Sequence, residues 1–337
     1  MNLYITTQGA YVKKVGNTIV VEKDHEKIVQ HPIKNISMLI LFGNIQVTIQ
    51  AMLTLQKHGC DIAMMSKNGH FRGKMSSAYS KNVTFRLAQH KRYSDIPFRL
   101  KFAQQIVYSK IENGLNLLKK YHYNPNNPAK FNNLSLFKKN LAAISKTNDL
   151  NELRGHEGYA AKQYFKALSE CFTVDNISFT GRTYYPSPDP INALLSFGYS
   201  FVARELQAIL DACGFDPYIG FFHEVHYGRA SLSLDLLEEF RHSVVDKLVL
   251  KLINKRILTT DDFFKDEKKG GCYLNRESLN IFIHHFEQIA DTDNISYGDK
   301  TNKISYRKIF WNQVEKLKKA VLDGTDYHPH SFGSEQK

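Results

Sequence analysis

Two spacings of apolar residues run along this chain, and one gives way to the other near residue 80. Before that point, short β-branched and aromatic runs lie between turn residues. They are Leu3-Tyr4-Ile5, Tyr11-Val12, Thr18-Ile19-Val20-Val21 and Ile36-Ser37-Met38-Leu39-Ile40-Leu41-Phe42. Such runs predict strands. Gly16-Asn17 separates the second from the third and suits a tight hairpin turn, because both residues tolerate positive φ. One helix is expected near Gln46–His58, where Ile49, Met52, Leu53 and Gln56 fall at helical spacing. Cys60–Met65 reads as a further strand.

From about Asn82 the spacing lengthens. Phe85, Ala88, Gln89 and Arg92 begin a helical pattern, and Phe102, Ile106, Ile111, Leu115 and Leu118 continue it. Tyr123–Asn133, rich in Asn and Pro, reads as a loop. Helix then follows helix to about Leu322. The break is at Thr180–Pro190, where Pro186, Pro188 and Asp189-Pro190 forbid a continuous helix. The expected fold class is α+β. A β-rich, sandwich-like domain over residues 1–80 precedes a larger all-α domain over 81–325, and 326–337 is expected to be a flexible polar tail.

Composition sharpens this picture. A length of 337 residues favours two cores over one. Hydrophobic residues at 42% and aromatics at 12% exclude a disordered chain. The formal net charge of +12 lies entirely in residues 1–123, which hold 18 Lys/Arg against 6 Asp/Glu, whereas the remainder holds 27 of each. A basic stretch attracts a polyanion by counterion release and steering. A soluble Lys-rich surface would give the same count. Cys60, Cys171, Cys213 and Cys272 are too scattered for a zinc ribbon and read as buried thiols in a reducing cytoplasm. No signal peptide is expected, and the apolar runs are too short to span a bilayer.

Three segments carry candidate chemistry. Asn148 or Asp149 can cap a helix reaching about Phe172, with Leu153, Ala160/Ala161, Tyr164, Leu168 and Cys171/Phe172 as its apolar stripe. A step of four from Leu153 lands on Glu157, an acid where an apolar residue belongs. A buried carboxylate needs a cation, a hydrogen-bond shell or a proton. Gly155 and Gly158 flank it at about 1 kcal/mol each in helix stability, which suggests a close approach to the backbone. A structural ion pair, with Arg154 of a neighbouring chain or with Arg204, explains the acid equally well. His223 ends Gly220-Phe221-Phe222-His223 and therefore borders the core. In isolation it is an ordinary hydrogen-bonded core histidine.

A third helix should run from Ala230–Ser233 to about Arg256 with Leu236, Phe240, Val244 and Leu248 inward. That places Asp235, Glu238 and His242 opposite. Asp235 and Glu238 repel unless a cation bridges them; by itself, this helix favours a solvated polar face. Residues 201–250 nonetheless concentrate 8 Asp/Glu against 4 Lys/Arg. His223-Glu224-Val225-His226 is one residue short of the zincin motif, so a metalloprotease is a weak reading. The pairs His284-His285 and His328/His330 carry little weight.

Taken together these segments resemble the CRISPR-associated adaptation integrase family, the universal metal-dependent endonuclease that inserts new spacers. The pieces are Glu157-Gly158 with Ala160-Ala161 and Tyr164; Arg182, Pro186, Asp189-Pro190 and Asn192–Tyr199; Gly214-Phe215-Asp216-Pro217 to His223; and Gly228-Arg229 through Arg241. Leu41-Phe42-Gly43 and Gly69-His70-Phe71 also fit. His156 and Phe222 depart from the usual neighbours of the ligands without touching a ligand. The resemblance implies that Glu157, His223 and Glu238 are the catalytic metal ligands, with Asp235 a further possible ligand, and that the cofactor is Mn²⁺ or Mg²⁺. It implies strand transfer: a protospacer 3′-hydroxyl attacks a phosphodiester of the CRISPR repeat. It implies a homodimer that joins the second universal adaptation protein on double-stranded DNA. Arg86, Lys91, Arg92, Lys162, Arg182, Arg229 and Arg241 are the candidate DNA contacts, each with plain surface charge as its alternative. The contrasting expectation is a non-catalytic, basic DNA-binding scaffold whose acids form structural ion pairs.

Overall fold

The computed structural model describes residues 1–332 apart from 37, 66–70, 76–82, 123–133, 175, 185, 267–269, 293–294 and 297–302. The Gly69-His70 pair and the expected loop at 123–133 lie outside the described residues. The chain divides into two units, Met1–Tyr79 and Ser80–Lys337.

The first unit holds β1 (Asn2–Ile5), β2 (Tyr11–Val15), β3 (Thr18–Lys23), β4 (Glu26–Pro32), β5 (Met38–Phe42), β6 (Gln46–Val47), α1 (Ile49–Lys57), β7 (Asp61–Met65) and β8 (Phe71–Met75). Two four-stranded sheets form, in the orders β1-β5-β7-β8 and β4-β3-β2-β6. The hairpin at Gly16-Asn17 pairs Val15 with Thr18, as the turn chemistry predicts. Strand β5 is buried along its whole length and sits between β1 and β7, both parallel to it. That position explains its unbroken apolar run. Val12, Ile19, Val21, Leu39, Leu41 and Ile62 from both sheets share one core with Ala51 and Leu55 of α1.

The second unit is built on α2 (Val83–Ser94), α3 (Ile96–His122), α4 (Leu134–Ile144), α5 (Leu150–Ser169), α6 (Pro190–Cys213), α7 (Ser231–Leu237), α8 (Lys247–Asn254), α9 (Arg276–Asp291) and α10 (Tyr306–Asp323). It also carries two short antiparallel pairs, β9 (Phe263–Lys265) with β10 (Cys272–Leu274) and β11 (Ile295–Ser296) with β12 (Lys303–Ile304). Sequence reasoning did not include these. Helix α6 runs through the centre. Asp189 caps its start, Pro190 occupies the first turn, and Gly214 closes it in the left-handed conformation at φ 89°.

Two expectations need correction. The helix expected from 230 to 256 is three pieces, because a π-helix over Arg241–Asp246 separates α7 from α8. The stretch 326–332, expected to be loose, is held down. Ser109 Oγ and Asn113 Nδ2 donate to the His330 carbonyl at 2.8 and 3.0 Å, and the Phe332 amide donates to Asn113 Oδ1 at 2.6 Å. Residues 333–337 lie outside the described residues.

Candidate active site

Helix α5 begins where the Asp149 side chain accepts the amides of Asn151 and Glu152, each at 3.0 Å. Leu153, Ala160, Tyr164, Ala167 and Leu168 then face the core. Glu157 lies at the rim of that stripe. Its partner comes from α3, where a step of four from buried Ile106 lands on Lys110. The Lys110 ammonium is 2.6 Å from Glu157 Oε1 and 2.8 Å from Glu238 Oε2. Within this chain Arg154 reaches the Phe222 carbonyl and Glu224.

Glu238 is one residue beyond α7 and only 1% exposed. Its Oε2 also lies 2.8 Å from Arg241 Nε. Two cations thus crowd one buried oxygen, which has no aligned hydrogen bond of its own. The contact is charge against charge. Burial by itself would raise the Glu238 pKa, but Arg241, Lys110 and His223 bring it down to about 2. Burial likewise opposes the charge on Lys110, and Glu157 with Glu238 outweigh it, so its pKa rises.

His223 follows the buried rings of Phe221 and Phe222 on a loop, not a helix. Gly220 makes that loop possible: a Cβ there would lie 2.7 Å from Ser231 Cβ and 2.9 Å from the His223 carbonyl oxygen. Asp235, fully buried, gathers the loop. Its carboxylate accepts the amides of Phe221, Phe222 and His223 at 2.7, 3.1 and 2.8 Å, and its Oδ1 is 2.7 Å from His223 Nδ1. A carboxylate at Nδ1 makes that nitrogen the donor and leaves the Nε2 lone pair free. Nε2 lies 3.8 Å from Glu238 Oε1. Burial lowers the affinity of His223 for a proton, but the Asp235 hydrogen bond and charge, then Glu238 and Glu157, raise its pKa above the ordinary value.

The structure therefore brings Glu157, Glu238 and His223 to one place and gives Asp235 a different one. Asp235 faces the loop backbone and the imidazole, with both oxygens engaged. The solvated polar face expected for Asp235, Glu238 and His242 is corrected, since all three are buried. Among the described residues, no three His, Cys, Asp or Glu side chains stand close enough to hold a metal ion as they are. Among the described residues nothing makes the close approach expected at Gly155 and Gly158; a Cβ at either would meet no atom within 4 Å.

The basic candidates separate into two sets. Arg182 donates to Thr183, Asn192 and Ser196, Arg229 to Glu224 and Ser231, Arg92 to Val321 and Asp95, and Arg241 pairs with Glu238. Lys91 and Lys162 are exposed, and Arg86 is half-buried on α2. His226 is exposed on the same loop as His223, which removes the helical geometry a zincin needs. The pivotal cation missed by sequence reasoning, Lys110, was marked by the same misfit as Glu157, a charge on an apolar stripe.

The model of the CRISPR associated protein Cas1 family matches residues 3–288. CRISPR-associated endonuclease Cas1 3 of Thermus thermophilus is 34% identical over 322 residues, 95% of this chain and 93% of its own. CRISPR-associated endonuclease Cas1 1 of Chlorobaculum tepidum is 31% identical over 97% of this chain and 96% of its own. Among solved structures, a Cas1 protein from Thermotoga maritima aligns over the full length of both chains with TM-score 0.82 and 25% identity. A casposase bound to integration product shares the fold at TM-score 0.85 and 21% identity, over 100% of this chain and 95% of that one. With a matching family model across most of its length and full-length relatives above 30% identity, this chain belongs to the CRISPR-associated Cas1 family of endonucleases.

Proposed function

We propose that Glu157, His223 and Glu238 form the metal-dependent centre with which this Cas1-family endonuclease and integrase cuts and joins DNA. The observation that carries the reading is that two carboxylates from separate segments meet on the Lys110 ammonium while the His223 Nε2 lies 3.8 Å from the other oxygen of Glu238. The donors suit a divalent ion. Glu238 Oε2 is a buried anionic oxygen without an aligned hydrogen bond, and oxygen with imidazole is the donor set of Mn²⁺ or Mg²⁺, with the nitrogen favouring Mn²⁺. When bound, such an ion polarises a phosphoryl oxygen and stabilises charge that grows there.

The chain supplies the rest. Glu157 and Glu238 hold the position from α5 and the end of α7. Asp235 keeps the Nδ1 proton of His223 in place so that Nε2 stays a lone-pair donor. Arg241 and Lys110 set a positive potential where a phosphodiester would dock. A DNA 3′-hydroxyl attacking phosphorus forms a new P–O bond as the old P–O3′ bond breaks, and the leaving 3′-oxygen takes up a proton. The number of phosphodiester bonds is unchanged, so no ATP is consumed. Water in place of the hydroxyl gives cleavage.

The finer reading adds protospacer and repeat DNA as substrates, a homodimer, and the second adaptation protein as partner. Its partner-protein and DNA parts are supported by the likeness to a Cas6-RT-Cas1–Cas2 complex and to the casposase bound to integration product. Four free, buried cysteines suit a reducing cytoplasm, and no helix among the described residues is long and apolar enough to cross a membrane.

The test is strand transfer and cleavage on a DNA substrate with and without EDTA. Loss of both on chelation, and in Glu157→Gln, is the expected result. One observation favours the scaffold reading, namely that both acids already sit in ion pairs with Lys110 and Arg241. Salt-sensitive DNA binding with no metal-dependent chemistry would establish that alternative.

A further inference from the structure

We propose that Lys110 is a built-in cation that occupies the metal position, so that loading the site is an exchange of one charge for another. The inference rests on the metal-centre reading above. Its basis is geometric. The ammonium lies 2.6 and 2.8 Å from one oxygen each of Glu157 and Glu238. A divalent ion bridging the same oxygens would sit about 2.0–2.6 Å from each. Ammonium and ion therefore claim the same point, and like charges at that spacing repel beside a carboxylate as buried as Glu238.

The arrangement has a physical rationale. Without a cation, Glu157 and Glu238 would face each other across a buried gap, and Glu238 has almost no access to water. An uncompensated buried carboxylate is strongly destabilising. Lys110, on a long helix packed against α5, supplies the compensation from within the fold. Arg241 holds Glu238 Oε2 from the other side and is anchored over the Tyr199 ring at 4.5 Å. It therefore remains when Lys110 leaves. The cleft beside Lys110 is lined by Ile111, Phe137, Ala160 and Phe165 and also by Arg241 and His242. Its apolar part and the second cation, Arg241, both oppose a bare ammonium there. The displaced group moves instead toward the solvent side of the site, where a phosphodiester carries the charge to receive it. Lys110 thus sets the affinity for the ion by competing with it.

The experiment measures Mn²⁺ binding to DNA-free protein by calorimetry, with melting temperature in EDTA as a second readout. Lys110→Met keeps the apolar stem and removes the charge. It is expected to bind Mn²⁺ at least about tenfold more tightly than the parent, to melt lower in EDTA, and to gain more in melting temperature from Mn²⁺ than the parent does. Lys110→Arg keeps a cation there and should bind Mn²⁺ no more tightly than the parent, which controls for variants that merely loosen the fold. Equal or weaker binding by Lys110→Met, with binding still lost in Glu157→Gln, overturns the inference and leaves the metal centre standing. Absence of saturable binding in the parent and in Lys110→Met alike overturns both.

Discussion

Glu238 and Glu239 are neighbours in the chain, identical in chemistry and both buried, yet they do opposite things. Glu238 turns toward Lys110, Arg241 and His223, and these cations hold its pKa at about 2. Glu239 turns the other way, into neutral donors. The Tyr327 hydroxyl donates to its Oε1, and Gln313 Nε2 and the His330 amide donate to Oε2 at 2.9 and 2.6 Å. Burial pushes its pKa up to about 7 against the pull of those donors. The contrast shows how a fold sorts carboxylates. An acid paired with a lysine ammonium is available for exchange with an ion. An acid locked by hydroxyl, amide and backbone N–H groups is a staple, and here it pins residues 327–330 onto the helices that carry the site.

Breaking the first member of the pair should have the largest effect. Glu157→Gln is expected to lower DNA cleavage and strand joining by at least about a thousandfold with an unchanged circular dichroism spectrum. Glu238→Ala should abolish the same activities and also weaken the fold by roughly 3–5 kcal/mol, because Lys110 and Arg241 are left facing a void; chemical denaturation measures this. Breaking the second member separates stability from chemistry. Glu239→Ala strands three donors and should cost about 3 kcal/mol, with activity per folded molecule close to that of the parent.

The two acids also respond to pH with opposite signs. The folded pKa of Glu239, about 7, lies above the ordinary 4.5, so its contribution is complete below pH 4.5 and is lost as pH rises through 7. The folded pKa of Glu238, about 2, lies below 4.5, so its contribution is complete above pH 4.5 and is lost as pH falls through about 2. Denaturation midpoints against pH should show both slopes, and Glu239→Gln should flatten only the one between pH 4.5 and about 7. A smaller change sharpens the role of the orienting carboxylate. Asp235→Asn frees His223 to rotate and should lower both Mn²⁺ affinity and activity by about 10–100-fold. The smallest effect belongs to Gly155→Ala. Its Cβ meets open space, so stability should rise by roughly 0.5–1 kcal/mol; a fall in strand joining would show that bound DNA approaches that backbone.

The legible parts of the molecule were those with a local signature. β-branched and aromatic runs between turn residues marked β1, β2, β3, β5 and β7, and an acid on an apolar stripe marked Glu157. Strand β4 escaped because Glu26–Pro32 lies at a sheet edge and is mostly exposed, so it carries no apolar rhythm. Lys110 escaped although the arithmetic that found Glu157 applies to it unchanged; a cation on a long helix reads readily as a snorkelling side chain. Asp235 and Glu238 were assigned to a wet face because the segment was read as one-sided, whereas α7 is enclosed on nearly every side, with Ser231, Leu232, Ser233, Asp235, Leu236 and Leu237 all buried. The capture of 327–332 had no signature at all, since it depends on backbone groups meeting Ser109, Asn113 and Glu239 from distant helices.

The π-helix between α7 and α8 acts as a gear that changes phase partway along a shaft. Its wider turn, closing five residues back instead of four, lets the cleft-facing Glu238 and the deeper Asp246 each meet their own partners, the latter under the hydroxyls of Tyr164 and Tyr199 at 2.6 Å. Removing one residue from Arg241–Asp246 would let the wide turn close as ordinary α-helix. The offset between Glu238 and the tyrosine clasp is built on that extra residue, and a regular rod would lose it.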